Sequence, residues 1–187
     1  MSPSRAPSEL LDAVRAGDAE ALDRLYGLFY DELRAAARRQ LARHQATLQA
    51  TELVHEAYAK LVGRPLEDLR DAAHLLAIAA RAMRQVLVDR ARRRQAEKRG
   101  GALERATLTD RHLGVTCPLD DILTLDAALD RLDRLNPRLR QTVELRFFGG
   151  LTEEETAAVL GCTARTVRRD WTKARLFLHR ELLPAAA

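Results

Sequence analysis

Residues 150–179, GLTEEETAAVLGCTARTVRRDWTKARLFLH, restrict the possible fold more than any other part of the chain. Thr152 and Glu155 stand at the spacing of a capping box, in which a cap hydroxyl and a carboxylate three residues on satisfy orphan donors at a helix start. Gly161 falls where the chain has to turn sharply, Ala157 is small where crossing helices approach, and Thr163 is placed to cap a second helix. On that second helix Ala164, Val167, Trp171, Ala174 and Leu178 recur on one face at helical spacing. Arg165, Arg168, Arg169 and Thr172 lie on the opposite side, with Lys173 beside them. A helix-turn-helix whose second helix has one packing face and one basic face meets the requirement for major-groove reading. A surface helix with solvated arginines would explain the charge. It would not explain why cap, turn glycine, small contact residue and basic face all agree.

The rest of the chain is built from the same material. Alanine, leucine and arginine dominate, aromatics are 4% and β-branched runs are scarce, so an all-α fold is expected over the 187 residues. That length holds one large domain or two small ones with a real core. A net charge of +4 and a pI near 9.5 favour a polyanionic partner only weakly, but the arginines gather at 81–99 and 165–175. Cys117 and Cys162 lie far apart with no local ligand partners, which fits a reducing compartment without disulfides. The opening MSPSRAPSEL has no apolar core of a signal peptide, and no apolar run nears the roughly 18 residues of a membrane span. A soluble, cytoplasmic protein is expected.

Taken in order, residues 1–7 show no periodicity and read as a disordered terminus. Ser8 is placed to cap a first helix through Arg15, and Gly17-Asp18 opens the next. Leu22, Leu25, Leu28, Phe29 and Leu33 predict one long helix over 18–42, followed by a polar break at 45–49. Thr51 is placed to cap ELVHEAYAKLV, with Leu53, Val54, Ala57 and Leu61 inward. Gly63-Arg64-Pro65 ends it, and Asp71 begins a longer helix with Leu76, Ala80, Met83 and Leu87 as its buried stripe. Arg81, Gln85 and Arg92 project from the far side, flanked by Arg84. Residues 100–118, which contain Gly100-Gly101 and four further Thr or Gly residues, read as a linker. Order resumes at Pro118, with Leu119, Ile122, Leu125, Leu129 and Leu132 in period. Asn136 and Pro137 form a cap and a first helical residue, and the helix they open turns Leu139, Val143 and Phe147 inward before Gly149-Gly150. Pro184 closes the last helix. The expected architecture is two helical modules, 8–99 and 119–183, joined by a linker at 100–118 and followed by a tail at 184–187.

Each module carries a basic helix. Arg81, Arg84, Arg90, Arg92, Arg93, Arg94, Lys98 and Arg99 face only Asp89 and Glu97 in the first. Alone, such a run is commonly a solvated face. Two tethered footprints suggest two contacts on one duplex, with a gain in effective concentration from the linker. The helix at 51–62 differs, because Glu52 and Glu56 would be repelled by phosphate. His55-Glu56 starts a His-Glu-x-x-His zinc motif, but position 59 is Ala59, so the metalloprotease reading fails. No phosphate-cradling loop and no nucleophile constellation appears. No enzyme, metal or cofactor is expected.

TLQATELVHEAYAKLV, then AAHLLAIAARAMRQVLVDRARRR, then LNPRLRQTVELRFFGGLTEEETAAVLGCTARTVRRDW closely resemble an extracytoplasmic-function (ECF) sigma factor of bacterial RNA polymerase. The similarity runs from about Leu10 to about Leu183, and the order of the motifs makes it specific. It implies that 8–99 is sigma region two and 119–183 is region four, with core RNA polymerase and promoter DNA as partners. An anti-sigma factor, expression or modification are the implied routes of control. In that family the helix matching 51–62 docks on the polymerase clamp, which implies polymerase contacts at Glu52, Leu53, Val54, Glu56, Tyr58 and Leu61. The helix matching 75–94 engages the minus-ten element. Arg81, Arg84, Gln85, Val88, Asp89 and Arg92 are its implied DNA residues, at exposed or flanking positions. The helix matching 164–178 enters the major groove at the minus-thirty-five element through Arg165, Arg168, Arg169, Thr172 and Lys173. The polymerase flap would meet Phe147, Phe148 and the last helix. Where family members commonly carry aromatics before the minus-ten helix, this chain has Leu69, Leu75 and Leu76, which bears on strand opening because aromatics stack on unpaired bases. The alternatives are a stand-alone helix-turn-helix regulator and an adaptor whose basic helices meet acidic proteins.

Overall fold

The computed structural model describes residues 6–44, 48–99 and 121–182, and all its regular elements among these are helical. The first helix, α1, spans Pro7–Arg15 with Ala6 as its extended cap residue. Proline supplies a preset φ and lacks the N–H that would go unpaired at the first position, so the start falls at Pro7. Ser8 therefore lies inside α1, and of the terminus expected at 1–7 Pro7 is helical and residues 1–5 lie outside the described residues. Asp18 caps α2 (Ala19–Leu28) by accepting from the backbone N–H groups of Glu20 at 2.9 Å and Ala21 at 3.1 Å.

The single helix expected over 18–42 is two. Phe29 leaves helical geometry at φ −104° and ψ 20°, and α3 runs from Tyr30 to His44. The apolar period continues through the break, so the pattern could not mark it. Leu28, expected in the buried stripe, is 56% exposed as a result. The helix α4 spans Ala50–Leu61 without a side-chain cap. Leu48 before the cap residue and Leu53 in the first turn are both buried in one core, at the positions of a hydrophobic staple. That fixes the start by packing and places Thr51 inside the helix.

Asp71 accepts from the backbone N–H of His74 at 2.8 Å and opens α5, Ala72–Arg99, the longest helix at 28 residues. It differs from the amphipathic helix expected. Leu75, Ala77, Ala79, Ala80, Met83, Arg84, Val86, Leu87, Val88 and Ala91 are all buried, which is burial nearly all round, whereas Leu76 is only half-buried. One side completes a core with α1–α4. The other receives α6 (Asp121–Leu135) and a π-helical turn at Glu144–Gly149, while α7 (Pro137–Val143), which leads into that turn, packs on α6. Small side chains make that second approach possible: Ala80 joins the cluster of Leu125, Leu129, Leu132, Val143, Phe148 and Ala174, and Ala77 joins Leu145, Leu151 and Val159. In return Ile122 of α6 enters the core built on α1–α5.

Asn136 accepts from the N–H of Arg138 at 3.0 Å with Pro137 in the first turn, as the sequence predicts. The chain then widens into the π turn, leaves it through Gly150 at φ 75°, and continues into α8 (Glu153–Leu160) and α9 (Ala164–Leu182). The linker expected at 100–118, the restart at Pro118 and the stop at Pro184 lie outside the described residues.

Candidate nucleic-acid interface

The α8–α9 corner is assembled by local interactions. Both halves of the capping box form: Glu155 N–H donates to Thr152 Oγ1 at 3.1 Å, and Thr152 N–H donates to the Glu155 carboxylate at 2.7 Å. Gly161 ends α8 at φ 63° in the left-handed region, and the N–H of Cys162 returns to the Ala157 carbonyl at 3.0 Å. Thr163 then accepts from Thr166 N–H at 3.2 Å and starts α9.

Two anchors hold α9 in place. Val167 and Ala174 are buried, and half-buried Trp171 packs beneath the Arg146 guanidinium, 5.7 Å from the ring centroid. Asp170, which sequence reasoning did not single out, is 1% exposed and accepts from Arg138 Nε at 2.6 Å. That hydrogen bond is the main reason the Arg138 guanidinium is held above its ordinary pKa. A carboxylate buried on the inner face of a basic helix thus ties α9 to the start of α7.

Arg165, Arg168, Arg169, Thr172 and Lys173 all point to solvent. Arg168 donates to the Glu153 carboxylate at 2.7 and 3.0 Å. The hydrogen bond from Arg168, followed by the charges of Arg168 and Arg146, holds the Glu153 carboxyl below its ordinary range. The hydroxyl of Thr172 donates to the carbonyl of Arg168 at 3.0 Å, which leaves its oxygen lone pairs facing out.

The six positions singled out on α5 separate into different environments. Arg81 is exposed with its Nε 3.8 Å from the Glu144 carboxylate, and exposed Arg92 donates to Asp126 at 3.2 Å. Arg84 is neither exposed nor flanking: it is 1% exposed, paired with Asp126, and donates to Glu144 at 3.2 Å. Val88 is fully buried in the core of α1–α5, because one side of α5 packs on α4. Half-buried Asp89 accepts from Lys60 at 2.7 Å and from Gln85 at 3.4 Å. Burial pushes its pKa up, but the hydrogen bonds from Lys60 and Gln85 and the charges of Lys60 and Arg92 prevail, leaving the carboxyl below its ordinary range.

On α4, Leu53, Val54 and Leu61 are core residues, so direct contact with a partner falls to the outward positions. Glu52 is exposed and accepts from Arg90 at 2.7 Å, and Glu56 pairs with the same guanidinium. The hydrogen bond from Arg90 to Glu56 is the leading reason that the Arg90 pKa is raised. Tyr58 is half-buried with its ring centroid 4.8 Å from that of Tyr26. His55 is exposed, 6.4 Å from the Tyr30 ring centroid, and among the described residues no group of His, Cys, Asp and Glu could hold a metal ion.

Asp126 and Glu144 carry no motif that would mark them in the sequence, and together they gather Arg81, Arg84 and Arg92 from α5 with Arg140 from α7. The one local sign is an acid beside an apolar stripe in each, Asp126 next to Leu125 and Glu144 next to Val143. Gln40 and Arg39 of α3 finish this seam. Gln40 is fully buried and donates to the carbonyls of Ala80 at 3.0 Å and Phe148 at 3.4 Å, and Arg39 donates to the Gly149 carbonyl at 2.9 Å.

Among the described residues no helix is long and apolar enough to cross a membrane. A search of curated proteins finds no match. Comparison with protein-family models matches residues 5–183 to the ECF sigma factor family, nearly the whole chain and every helix described above. The all-helical fold, the basic outer face of α9 and this match agree: the chain belongs to the ECF sigma factors, the family of transcription-initiation sigma subunits.

Proposed function

We propose that this chain is a dissociable promoter-specificity subunit, with α1–α5 acting as sigma region two and α6–α9 as region four. Sigma factors are not enzymes; the polymerase performs the chemistry. In this reading α8 and α9 form the helix-turn-helix, and α9 enters the major groove of the minus-thirty-five element. Arg165, Arg168, Arg169, Thr172 and Lys173 supply phosphate contacts for register and a few base-edge contacts for sequence. The observation that carries the reading is that five neighbouring polar side chains face solvent from a helix whose opposite face is locked by Val167, Asp170 and Ala174. A rigid, pre-oriented basic face loses little entropy on docking.

The acidic outer face of α4, Glu52 and Glu56 with Tyr58 at its edge, is the proposed dock for core polymerase, while Leu53, Val54 and Leu61 hold that face in shape. On α5, Arg81, Arg84, Gln85, Asp89 and Arg92 are the proposed minus-ten contacts, with Val88 supporting the helix from below. Residues Leu69 and Leu75 are buried at 1% and 0% exposure, which suits packing rather than base stacking. Reconstitution with core polymerase tests the whole reading. Promoter-specific transcripts are expected on addition of the chain. Tight duplex binding without any polymerase-dependent start would instead make it a stand-alone regulator.

A further inference from the structure

Glu153 is the first residue of α8, and its carboxylate lies between two guanidinium groups. Oε2 accepts from Nε and Nη2 of Arg168 at 3.0 and 2.7 Å, while Oε1 lies 4.0 Å from Nη2 of Arg146. Arg146 is anchored in turn, over the Trp171 ring at 5.7 Å and through Nη1, which donates to the Leu151 carbonyl at 3.5 Å. Trp171 and Arg168 both belong to α9, so the contacts run from α9 through the π turn and the start of α8 back to α9. Exposure grows outward along them: the Glu153 side chain is 20% exposed and that of Arg168 is 68% exposed. The hydrogen bond with Glu153 leads the causes that hold the Arg168 guanidinium above its ordinary pKa.

An ion pair this exposed adds little to stability. What it fixes is direction. Arginine carries its N–H donors in a planar fork. With Nε and one side of Nη2 turned to Glu153, the Nη1–Nη2 end is left available, and among the described residues Nη1 makes no hydrogen bond. That end matches the O6 and N7 acceptors that guanine presents in the major groove. A guanidinium already held loses less freedom on docking than a free one, and it follows a misplaced base edge less readily. We propose that Glu153 is a positioning residue for base recognition: its carboxylate, braced by Arg146, aims the Nη1–Nη2 fork of Arg168 at one guanine of the upstream element. The inference rests on the reading of α9 as the helix that enters the major groove there. A carboxylate at the edge of the duplex also repels phosphate, so Glu153 sharpens discrimination at the expense of general affinity.

The test uses the full chain assembled with core polymerase and a promoter library randomised over the upstream element, with the bound sequences counted. Arg168→Ala identifies the position that Arg168 reads, as the one where a preference for guanine collapses. Glu153→Gln keeps the size of the side chain and removes the charge that orients the guanidinium. Glu154→Gln removes the same charge one residue further on, where the carboxylate makes no hydrogen bond to Arg168, and serves as the control. Helix content by circular dichroism confirms that each variant is folded. Glu153→Gln is expected to lower the guanine preference at that position at least about fivefold and to change preferences elsewhere by less than about twofold. Affinity for mixed-sequence duplex should hold or rise in both glutamine variants, while the preference falls in Glu153→Gln alone. Adding Glu153→Gln to Arg168→Ala should change the profile no further, because the two residues act as one unit. An unchanged profile in Glu153→Gln overturns the proposal, as does an equal loss in Glu154→Gln, which would leave net charge as the cause. Uniform weakening by Arg168→Ala across all sequences overturns it as well, since a phosphate clamp has no base to be aimed at. Failure of the underlying reading is seen separately, as a wild-type chain that gives no promoter-specific transcript with core polymerase.

Discussion

Arg168 shows how a residue's environment decides what its loss should do. Its only side-chain partner among the described residues is Glu153, and the pair is exposed, so it contributes little to stability at ordinary salt. Arg168→Ala should leave the denaturant midpoint of unfolding essentially unchanged. In a promoter-binding titration it should cost about 1–3 kcal/mol with relaxed preference at one base position if the guanidinium reads a base; uniform weakening across sequences would make it a phosphate clamp. Tyr26 presents the opposite case. It is 5% exposed and its hydroxyl has no hydrogen-bond partner among the described residues. Burial, with the neighbouring Tyr58, raises its pKa far above the ordinary phenol value. The folded state binds this proton more tightly than the unfolded state, so the stability linked to it is complete below about pH 10 and is lost as pH rises beyond that. Tyr26→Phe removes an unsatisfied buried group. The substitution should leave neutral-pH stability unchanged or raise it by up to about 1 kcal/mol, and should flatten the alkaline loss in a denaturant-midpoint series.

At the scale of elements, α8 depends on its two ends and α4 on its packing. Thr152 makes the cap of α8 with both reciprocal bonds formed, so Thr152→Ala should cost about 1 kcal/mol in urea unfolding. Gly161 at φ 63° has open space where a methyl group would stand, so Gly161→Ala carries only the left-handed backbone cost of about 1–2 kcal/mol, without a clash. By contrast α4 has no side-chain cap, and Thr51→Ala should be nearly silent. The acidic face of α4 can be probed while the helix stays intact. Glu56 accepts from Arg90, so Glu56→Lys would set two cations against each other as well as reverse the face. Glu56→Gln avoids that repulsion. It should weaken co-purification with core polymerase while costing no more than about 1 kcal/mol of stability. Normal co-purification of Glu56→Gln and Glu52→Gln together would count against α4 as the dock.

The whole molecule has shared cores, and this sets how it should melt. Ala77 and Ala80 of α5 lie in clusters with α6–α9, and Ile122 of α6 lies in the cluster of α1–α5. The two halves should therefore unfold together. Fluorescence of Trp171, the single tryptophan and a residue of α9, should report the same transition as far-UV circular dichroism, which sees every helix. Separate midpoints would mean that the halves are independent in solution. Arg84→Met leaves Asp126 and Glu144 in the seam without their central partner, a loss of about 3 kcal/mol if the halves stay joined. Parting of the halves would rehydrate both acids and cap that cost, so this substitution should split the two signals.

What the sequence determined by itself is what chain neighbours decide. The capping box at Thr152 and Glu155, the turn at Gly161, the Asn136-Pro137 start, the opening of a helix at Gly17-Asp18 and the outward face of α9 each depend on residues within about one helical turn, and all were legible. The family was legible too, because it is carried by ordered motifs along the chain. The break at Phe29, the start of α4 and the surroundings of α5 were not. A period of apolar residues states that a face is buried but not how many partners bury it. Ala80 read as one more member of a buried stripe, yet the small size of Ala77 and Ala80 is what admits a second layer of helices. Arg84 read as a flanking cation, since nothing near it in the chain announces Asp126 or Glu144. Its burial depends on carboxylates brought from 42 and 60 residues away, and only the tertiary structure could place them beside it.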